Sequence, residues 1–202
     1  AGTPYALCPR EPSTDTGLRR EVERNAALGR AIALFGIGQA ALAALEWQVA
    51  VAGMDDERRL LAVRAAQRAH WYDRAIFGMP ANAEALSYYS LRFPLPHRAL
   101  LRREAERNGL DPALVAALTR AESAFMTEAR SHANARGLMQ LLPSTAQAVA
   151  RRLGKPWGGA DSLFRPEMNV ALGTAYLAQR IADHGGRTYR ALAAYNAGHG
   201  AV

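Results

Sequence analysis

The chain has 202 residues, half of them hydrophobic, and a formal net charge of +7. A chain of this length can bury a hydrophobic core and can form one large or two small domains. Residues 1–97 carry eleven Arg against ten acidic side chains, whereas residues 98–202 carry thirteen Arg and Lys155 against eight. The basic second half favours encounters with anionic polymers. Nucleic acid is disfavoured as that polymer because the basic residues are scattered and no nucleic-acid motif is present.

Composition predicts an all-α protein. Alanine and leucine dominate, β-branched residues are sparse, and no alternating strand-like run with hairpin turns occurs. The longest apolar stretches contain Gln39 or Glu46 and are interrupted by glycines, so we expect no membrane span. Cys8 is the only cysteine, which excludes an internal disulfide, and nothing about its position indicates catalysis.

Residues 18–90 are predicted to form successive short helices. One begins near Leu18, a second covers Gln39 to Val51, and a third follows Asp55, where acidic residues suit a helix N-terminus. Short helices with apolar faces must stack, so the pattern is compatible with helical-hairpin repeats of the solenoid type. Three aromatic side chains here are interpreted as packing between helices rather than as a sugar platform, namely Trp47, Trp71 and Tyr72.

The segment 93–96, Phe-Pro-Leu-Pro, predicts a domain boundary because its prolines break a helix. We therefore divide the chain into residues 1–95 and residues 96–202. The second part predicts a helix ending near Gly109, another capped by Asp111, and a loop over 127–136. Three further helices are expected after the loop, beginning at Pro143, near Glu167 and at Thr188.

Glu122 is a candidate for proton transfer. It lies in the helix predicted after Asp111, a preferred N-cap residue. Leu114, Leu118 and Glu122 recur at four-residue spacing and Phe125 follows three residues later, so all four are predicted to share a face. A carboxyl group among apolar side chains loses hydration, which raises its pKa. The alternative for a single Glu is a helix-end side chain that reaches solvent or pairs with an Arg.

Four segments of the second half form an ordered series of motifs. They are Glu122–Phe125 (Glu-Ser-Ala-Phe), Gly137–Pro143 (Gly-Leu-Met-Gln-Leu-Leu-Pro), Asn169–Leu177 and Ala193–Gly198 (Ala-Ala-Tyr-Asn-Ala-Gly). Each alone is a weak signal, but together and in this order they resemble the lytic transglycosylases of the soluble, Slt-type family. The resemblance extends upstream through 89–96 and 109–115 and is looser over the first half of the chain.

This resemblance implies an architecture and a location. An α-superhelical region is expected over residues 1–95, followed by a lysozyme-like α-helical catalytic domain over 96–202 that is truncated at its C-terminus. The family acts in the periplasm. Because the chain begins Ala-Gly-Thr-Pro without an apolar leader, we interpret its first residue as an internal cut point in a longer protein.

The activity that the resemblance implies is cleavage of the β-1,4 bond between N-acetylmuramic acid and N-acetylglucosamine in peptidoglycan. Glu122 would act as general acid and then as general base, and the muramyl 6-hydroxyl would close a 1,6-anhydro ring. A retaining or inverting hydrolase would need a second carboxylate. Asp111, Asp161, Glu167 and Asp183 each suit a structural position at a helix end or turn. Glu128 is left without such a role, and as a loop carboxylate it is expected to face solvent. Neither a metal nor an organic cofactor is needed.

Six further residues are assigned to substrate binding by carry-over from the family. Gln140 and Ser131 would bind acetamido or hydroxyl groups, and Tyr195 would lie beside Glu122. Ser123 and Asn196 would also connect the Glu122 helix to neighbouring backbone. Leu142, where Met is usual, conserves volume and polarity. For Gln140 and Tyr195 an ordinary core hydrogen bond is the structural alternative.

Gly137 and Asn134 are predicted to have particular backbone conformations. Gly137 predicts close backbone approach. Asn134, where Gly is frequent, can adopt the left-handed conformation.

A goose-type muramidase that hydrolyses the same bond is an alternative enzyme, and a non-catalytic wall-binding scaffold is an alternative from another class. Protein partners could bind the helical N-terminal region.

Overall fold

The computed structural model describes residues 10–82 and 84–197, so Cys8 and Gly198 lie outside the described residues. The chain divides into two compact units, residues 1–94 and 95–202, and the division falls within the Phe-Pro-Leu-Pro segment. Helices joined by turns make up both units, and the all-α prediction is confirmed.

The first unit contains six α-helices among its described residues, and a 3₁₀ segment, Glu84–Ser87, precedes the last of them. They are α1 (Thr16–Glu23), α2 (Ala26–Gly36), α3 (Ala40–Val51), α4 (Asp56–Arg68), α5 (Tyr72–Phe77) and α6 (Tyr89–Arg92). Helix α2 packs on α3, and α4 packs on α1 and α5. Trp47 and Trp71 are both buried and meet edge to face with ring centroids 5.7 Å apart. The ring of Phe35 stacks on Trp71 at 4.7 Å, so the packing interpretation of the two tryptophans is confirmed.

The second unit is built around one long helix. Its described helices are α7 (Arg98–Arg107), α8 (Pro112–Ser123), α9 (Pro143–Arg152), α10 (Pro166–Asp183) and α11 (Thr188–Ala197). Helix α10 packs against α7, α9 and α11, and α7 also packs against α8. The buried positions of α10 include small and polar residues as well as aliphatic ones, which allows other elements to approach its backbone. A 3₁₀ segment, Ala160–Phe164, leads into α10.

Side-chain caps fix several helix starts that the sequence predicted. Asp111 accepts a hydrogen bond from the backbone N–H of Ala113 at 2.8 Å, and Pro112 occupies the first turn of α8. Asp55 caps α4 in the same way. The first helix begins at Thr16 rather than near Leu18, because Asp15 accepts from the N–H of Leu18 and so is the N-cap.

No helix among the described residues is both long and apolar enough to cross a membrane.

Removal of the α8 cap should destabilise the second unit. We expect Asp111→Ala to lower the free energy of unfolding by about 1 kcal/mol, because the N–H of Ala113 loses its acceptor. Urea denaturation followed by far-UV circular dichroism measures this change. Asp111→Ser, which keeps a capping oxygen, is the matched control and should remain within a few tenths of a kcal/mol of wild type. Equal losses in the two variants would contradict the capping role.

Candidate active site

A cavity of about 400 Å³ opens in the second unit. Its size falls in the range of small-molecule and cofactor sites. Residues of α8, the 127–142 segment, α9, α10 and α11 line it. They are Glu122, Ser131, Ala133, Ala135, Gln140, Leu141, Leu142, Thr145, Tyr176, Tyr195 and Asn196. The structure therefore brings Glu122 together with five of the six residues that the sequence assigned to substrate binding.

Glu122 is half-buried in the last turn of α8. The predicted apolar stripe is wrong in part. Leu118 is buried, but Leu114 is only partly so, and the helix ends at Ser123 before Phe125 is reached. Phe125 is buried after the helix end with φ of +63°. Glu122 thus lies at the margin of the buried face of α8, where its carboxyl group can reach the cavity.

Partial burial raises the pKa of the Glu122 carboxyl group above its ordinary value. The direction is the one predicted from the sequence. Tyr176, Tyr195, Leu141 and Leu142 share the cavity wall with it. Among the described residues that line the cavity, Glu122 is the only carboxylic acid.

Tyr195 is buried with 9% of its surface exposed, and its hydroxyl group donates to the backbone carbonyl of Met139 at 2.8 Å. Burial holds the pKa of Tyr195 well above its usual range, and the nearby charge of Glu122 acts in the same direction. Because a carbonyl can only accept, the phenolic proton is committed to Met139. Towards the cavity, the Tyr195 oxygen is therefore left as a hydrogen-bond acceptor.

Tyr176 is a cavity residue that the sequence analysis did not nominate. Its ring lies 5.1 Å from that of Tyr195, and the guanidinium carbon of Arg180 lies 5.1 Å from its centroid. Tyr176 belongs to the motif segment Asn169–Leu177, which was the available signal. Thr145, Ala133 and Ala135 also line the cavity without having been predicted.

Gln140 makes the core hydrogen bonds that were weighed for it and also lines the cavity, while its role in substrate binding stays a prediction. Its side-chain amide nitrogen donates to the carbonyls of Gly137 at 2.9 Å and Ala129 at 3.1 Å. Since both partners are acceptors, the orientation of the amide is fixed by this network. The amide oxygen is not used in these two bonds and remains an acceptor on a residue that lines the cavity. Gln140 itself adopts the left-handed conformation, with φ of +46°.

Ser123 makes supporting contacts with backbone, and its assignment to substrate binding stays a prediction. It is buried and absent from the cavity wall, because its side chain points into the protein from α8. The hydroxyl group lies 2.7 Å from the carbonyl oxygen of Leu138 and 3.1 Å from that of Thr119. Its proton is therefore shared between backbone acceptors. This contact connects the helix of Glu122 to the Gly137–Gln140 turn, as the sequence analysis also suggested.

The loop before Gly137 forms one wall of the cavity. Ser131 is exposed there, and its hydroxyl oxygen accepts from the N–H of Ala135 at 3.0 Å, which leaves the hydroxyl proton for a ligand. Asn134 has φ of +66°, so the predicted left-handed conformation is confirmed. Arg136 is buried and pairs with Asp161, which belongs to the 3₁₀ segment. Asp161 thus has an ionic partner in addition to its predicted position in a turn.

Gly137 fits where a side chain could not. Its φ is +73°, and a Cβ atom placed on it would lie 2.1 Å from the carbonyl oxygen of Leu163. The predicted close approach of backbone is confirmed.

Leu142 and Asn196 are residues of the cavity wall that are exposed to solvent. Leu142 is 41% exposed although it is a large aliphatic residue, and Asn196 is exposed at the end of α11. The idea that Asn196 also connects α8 to backbone stays a prediction.

The other acidic residues that the sequence analysis considered lie away from the cavity wall. Asp111 caps α8, Glu167 lies in the first turn of α10, and Asp183 pairs with Arg180 at 2.6 Å. Glu128 is exposed in the loop. Over residues 10–82 and 84–197, no three His, Cys, Asp or Glu side chains are grouped so that they could hold a metal ion.

Comparison with known protein families identifies both units. The profile described as the transglycosylase SLT domain matches residues 99–202, which is more than half of the chain. The chain belongs to the transglycosylase SLT family. A second profile, the soluble lytic murein transglycosylase L domain, matches residues 21–86.

Relatives of this SLT-family chain are considerably longer than it is. The soluble lytic murein transglycosylase of Salmonella typhimurium is 31% identical over 78% of this chain and 24% of its own length. Among solved structures, an inactive Glu-to-Gln mutant of lytic transglycosylase Slt from Pseudomonas aeruginosa is 38% identical, with a TM-score of 0.83. That match covers 96% of this chain and 32% of the other. The 70 kDa soluble lytic transglycosylase of Escherichia coli is 25% identical, with a TM-score of 0.77, over 96% of this chain and 31% of the other.

The chain thus spans about a quarter to a third of the length of these relatives. The likeness to the two solved structures confirms the predicted fold class.

The raised pKa of Glu122 predicts a stability effect that is independent of activity. Below the pKa that Glu122 has in the unfolded chain, its carboxyl group is protonated in both states, and its raised pKa does not affect the free energy of unfolding. As pH rises, the carboxyl group ionises first in the unfolded chain, so the free energy of unfolding falls. We expect Glu122→Gln to be more stable than wild type near pH 7 and equal to it near pH 3, by urea denaturation. The control, Glu128→Gln, replaces an exposed loop carboxylate and should give no such gain; a gain of the same size would contradict the burial argument.

Proposed function

We propose that the protein is a peptidoglycan lytic transglycosylase that cleaves the β-1,4 bond between N-acetylmuramic acid and N-acetylglucosamine. The observation that carries this proposal is Glu122. It is a half-buried carboxylic acid with a raised pKa, in a cavity lined by the other family motifs. Membership of the SLT family and the similarity to lytic transglycosylases over nearly the whole chain support the same activity.

In this mechanism Glu122 acts twice. Its protonated carboxyl group donates to the glycosidic oxygen as the bond to the anomeric carbon breaks and positive charge develops on the sugar. The carboxylate then takes the proton of the muramyl 6-hydroxyl, whose oxygen attacks the anomeric carbon. A 1,6-anhydromuramyl end forms, and Glu122 returns to its protonated state. A raised pKa suits a group that must be an acid first and a base afterwards.

The surrounding groups suit a reaction with a single carboxylate. No second acid shares the described cavity wall with Glu122, as the two-carboxylate mechanisms would require at roughly 5–9.5 Å. Tyr195 presents an acceptor that can receive the proton of the neutral Glu122 carboxyl group, which would favour its acid form. The free amide oxygen of Gln140 suits a donor such as an acetamido N–H, and the hydroxyl proton of Ser131 suits an acceptor. Leu142 and Asn196, which are exposed on the cavity wall, would contact the glycan.

Peptidoglycan is the proposed substrate, and a periplasmic location follows from it. The net charge of the second unit suits an anionic wall polymer, because residues 98–202 carry fourteen basic side chains against eight acidic ones. Protein partners are proposed for the first unit, where α3 exposes Leu42, Leu45 and Val49 on one face.

Product analysis distinguishes the transglycosylase from the goose-type muramidase. Digestion of purified sacculi should release muropeptides with anhydro ends, which are lighter by one water than the reducing ends of a hydrolase. Mass spectrometry separates the two products. Reducing ends alone would refute the proposed reaction and favour the muramidase.

Replacement of the acid should abolish turnover without abolishing binding. We expect Glu122→Gln to lower the rate of sacculus solubilisation by at least about a thousandfold, because the amide cannot donate the proton. Co-sedimentation with sacculi should remain close to wild type.

The matched control for this substitution is Glu128→Gln, which makes the same chemical change on an exposed loop. It should retain wild-type turnover. An unaffected rate in Glu122→Gln would rule out the assignment, and a wild-type protein that binds sacculi without releasing any product would favour the scaffold.

A further inference from the structure

Asn169 is a buried polar residue that the proposed chemistry does not use. It lies near the start of α10 with 0% of its surface exposed. Its amide oxygen accepts from the N–H of Met139 at 2.8 Å. Its amide nitrogen donates to the carbonyls of Arg136 at 2.8 Å and Leu163 at 2.9 Å. The side chain thus bonds at once to backbone groups of the loop over 127–136, here called the wall loop, of the Gly137–Gln140 turn and of the 3₁₀ segment.

The same turn receives side chains from two other helices. The peptide unit between Leu138 and Met139 is held at both ends, since its carbonyl accepts from Ser123 of α8 and its N–H donates to Asn169 of α10. The next carbonyl, that of Met139, accepts from Tyr195 of α11. Ser123 follows Glu122 directly, and Tyr195 lines the cavity. The turn therefore bonds to side chains of α8, α10 and α11 at once.

Close packing leaves the turn little room to shift. Met139 has 0% of its surface exposed, and a Cβ atom on Gly173 of α10 would lie 2.4 Å from its sulfur. A Cβ on Gly137 would lie 2.4 Å from the amide nitrogen of Asn169. Both glycines permit the contact that the Asn169 bonds hold in place.

We infer that Asn169 is a positioning residue that acts through the backbone of the Gly137–Gln140 turn to set Glu122 and Tyr195 at their working separation. The inference rests on the proposed transglycosylase function and extends it to a residue outside the cavity wall. Asn169 affects the rate of the chemical step rather than the affinity for the glycan. It does not line the cavity, and its amide oxygen and both amide hydrogens bond to the protein.

Asn169→Asp tests the inference with almost no change in shape. The substitution keeps the acceptor for the N–H of Met139 and replaces the nitrogen by an oxygen that faces two carbonyl oxygens. When protonated, this oxygen can still donate to one of them; when ionised, it is repelled by both. The new carboxyl group should have a raised pKa, and the variant should lose function as pH rises through it.

Charged side chains on the surrounding elements do not supply a partner for that carboxylate in the present arrangement. Arg136 of the wall loop pairs with Asp161 of the 3₁₀ segment. The remaining titratable and charged side chains of the loop and of the start of α10 are exposed, namely Glu128, Arg130, His132, Arg165 and Glu167.

The measurement is kcat and KM on soluble peptidoglycan strands from about pH 5 to about pH 8, expressed per folded molecule by circular dichroism. We expect kcat of Asn169→Asp to fall at least about tenfold near neutral pH, with KM within about twofold of wild type. The deficit should grow with pH relative to wild type. A loss of folded protein alone would not alter kcat per folded molecule or its pH profile.

Asn108→Asp is the matched control. Asn108 is a partly buried amide of the same unit that also donates to a carbonyl, that of Glu104, and to the hydroxyl of Thr174. Its replacement should leave kcat per folded molecule within about twofold of wild type. Equal losses in the two variants, or wild-type kcat in Asn169→Asp, would overturn the positioning role.

Gly173→Ala decides the question if Asn169→Asp does not fold. This change removes no hydrogen bond, and its Cβ atom would displace the Met139 side chain from the same face of α10 that carries Asn169, so kcat should again fall with KM preserved. A folded Gly173→Ala protein with wild-type kcat would then overturn the inference. A wild-type protein that forms no anhydro ends would instead overturn the proposed function, and this inference with it.

Discussion

The convergence of three buried side chains on one short turn is the constraint on which the cavity depends. Ser123, Asn169 and Tyr195 come from different helices and all bond to backbone atoms between Leu138 and Met139. A buried backbone group that lost its partner would cost about 1–3 kcal/mol, so the three bonds stabilise the turn in its observed position. Elements far apart in the sequence thereby meet at fixed distances around Glu122.

The site holds features that oppose stability. Glu122 occupies a partly dehydrated position that disfavours its charged form. The chain directly after it turns through two successive non-glycine residues with positive φ, Ala124 at +49° and Phe125 at +63°. Left-handed conformations at such residues are unfavourable and persist only where surrounding structure imposes them. Here they end α8 immediately beyond Glu122 and bury Phe125, which keeps the acid at the helix terminus beside the cavity.

Several local features could be read from the sequence because they depend on neighbouring residues. Asp111 and Pro112 predicted the start of α8, and Asn134 predicted a left-handed residue in the wall loop. The face assigned to Phe125 failed because helical periodicity was extended past the end of the helix. A backbone contact was expected for Ser123, but the residues near it did not indicate which carbonyl groups its hydroxyl group would reach.

The sequence by itself determined the helical class, most helix boundaries, the candidate acid and the family, because caps, prolines, periodicity and ordered motifs are written in residue types. Only the tertiary structure decided where the polar groups of Ser123, Gln140, Asn169 and Tyr195 point. Each of them bonds to a backbone carbonyl or N–H, and such groups are present at nearly every position along the chain. The backbone partner of such a side chain therefore cannot be identified from a pattern of residue types. It becomes known only when the fold brings the two groups together.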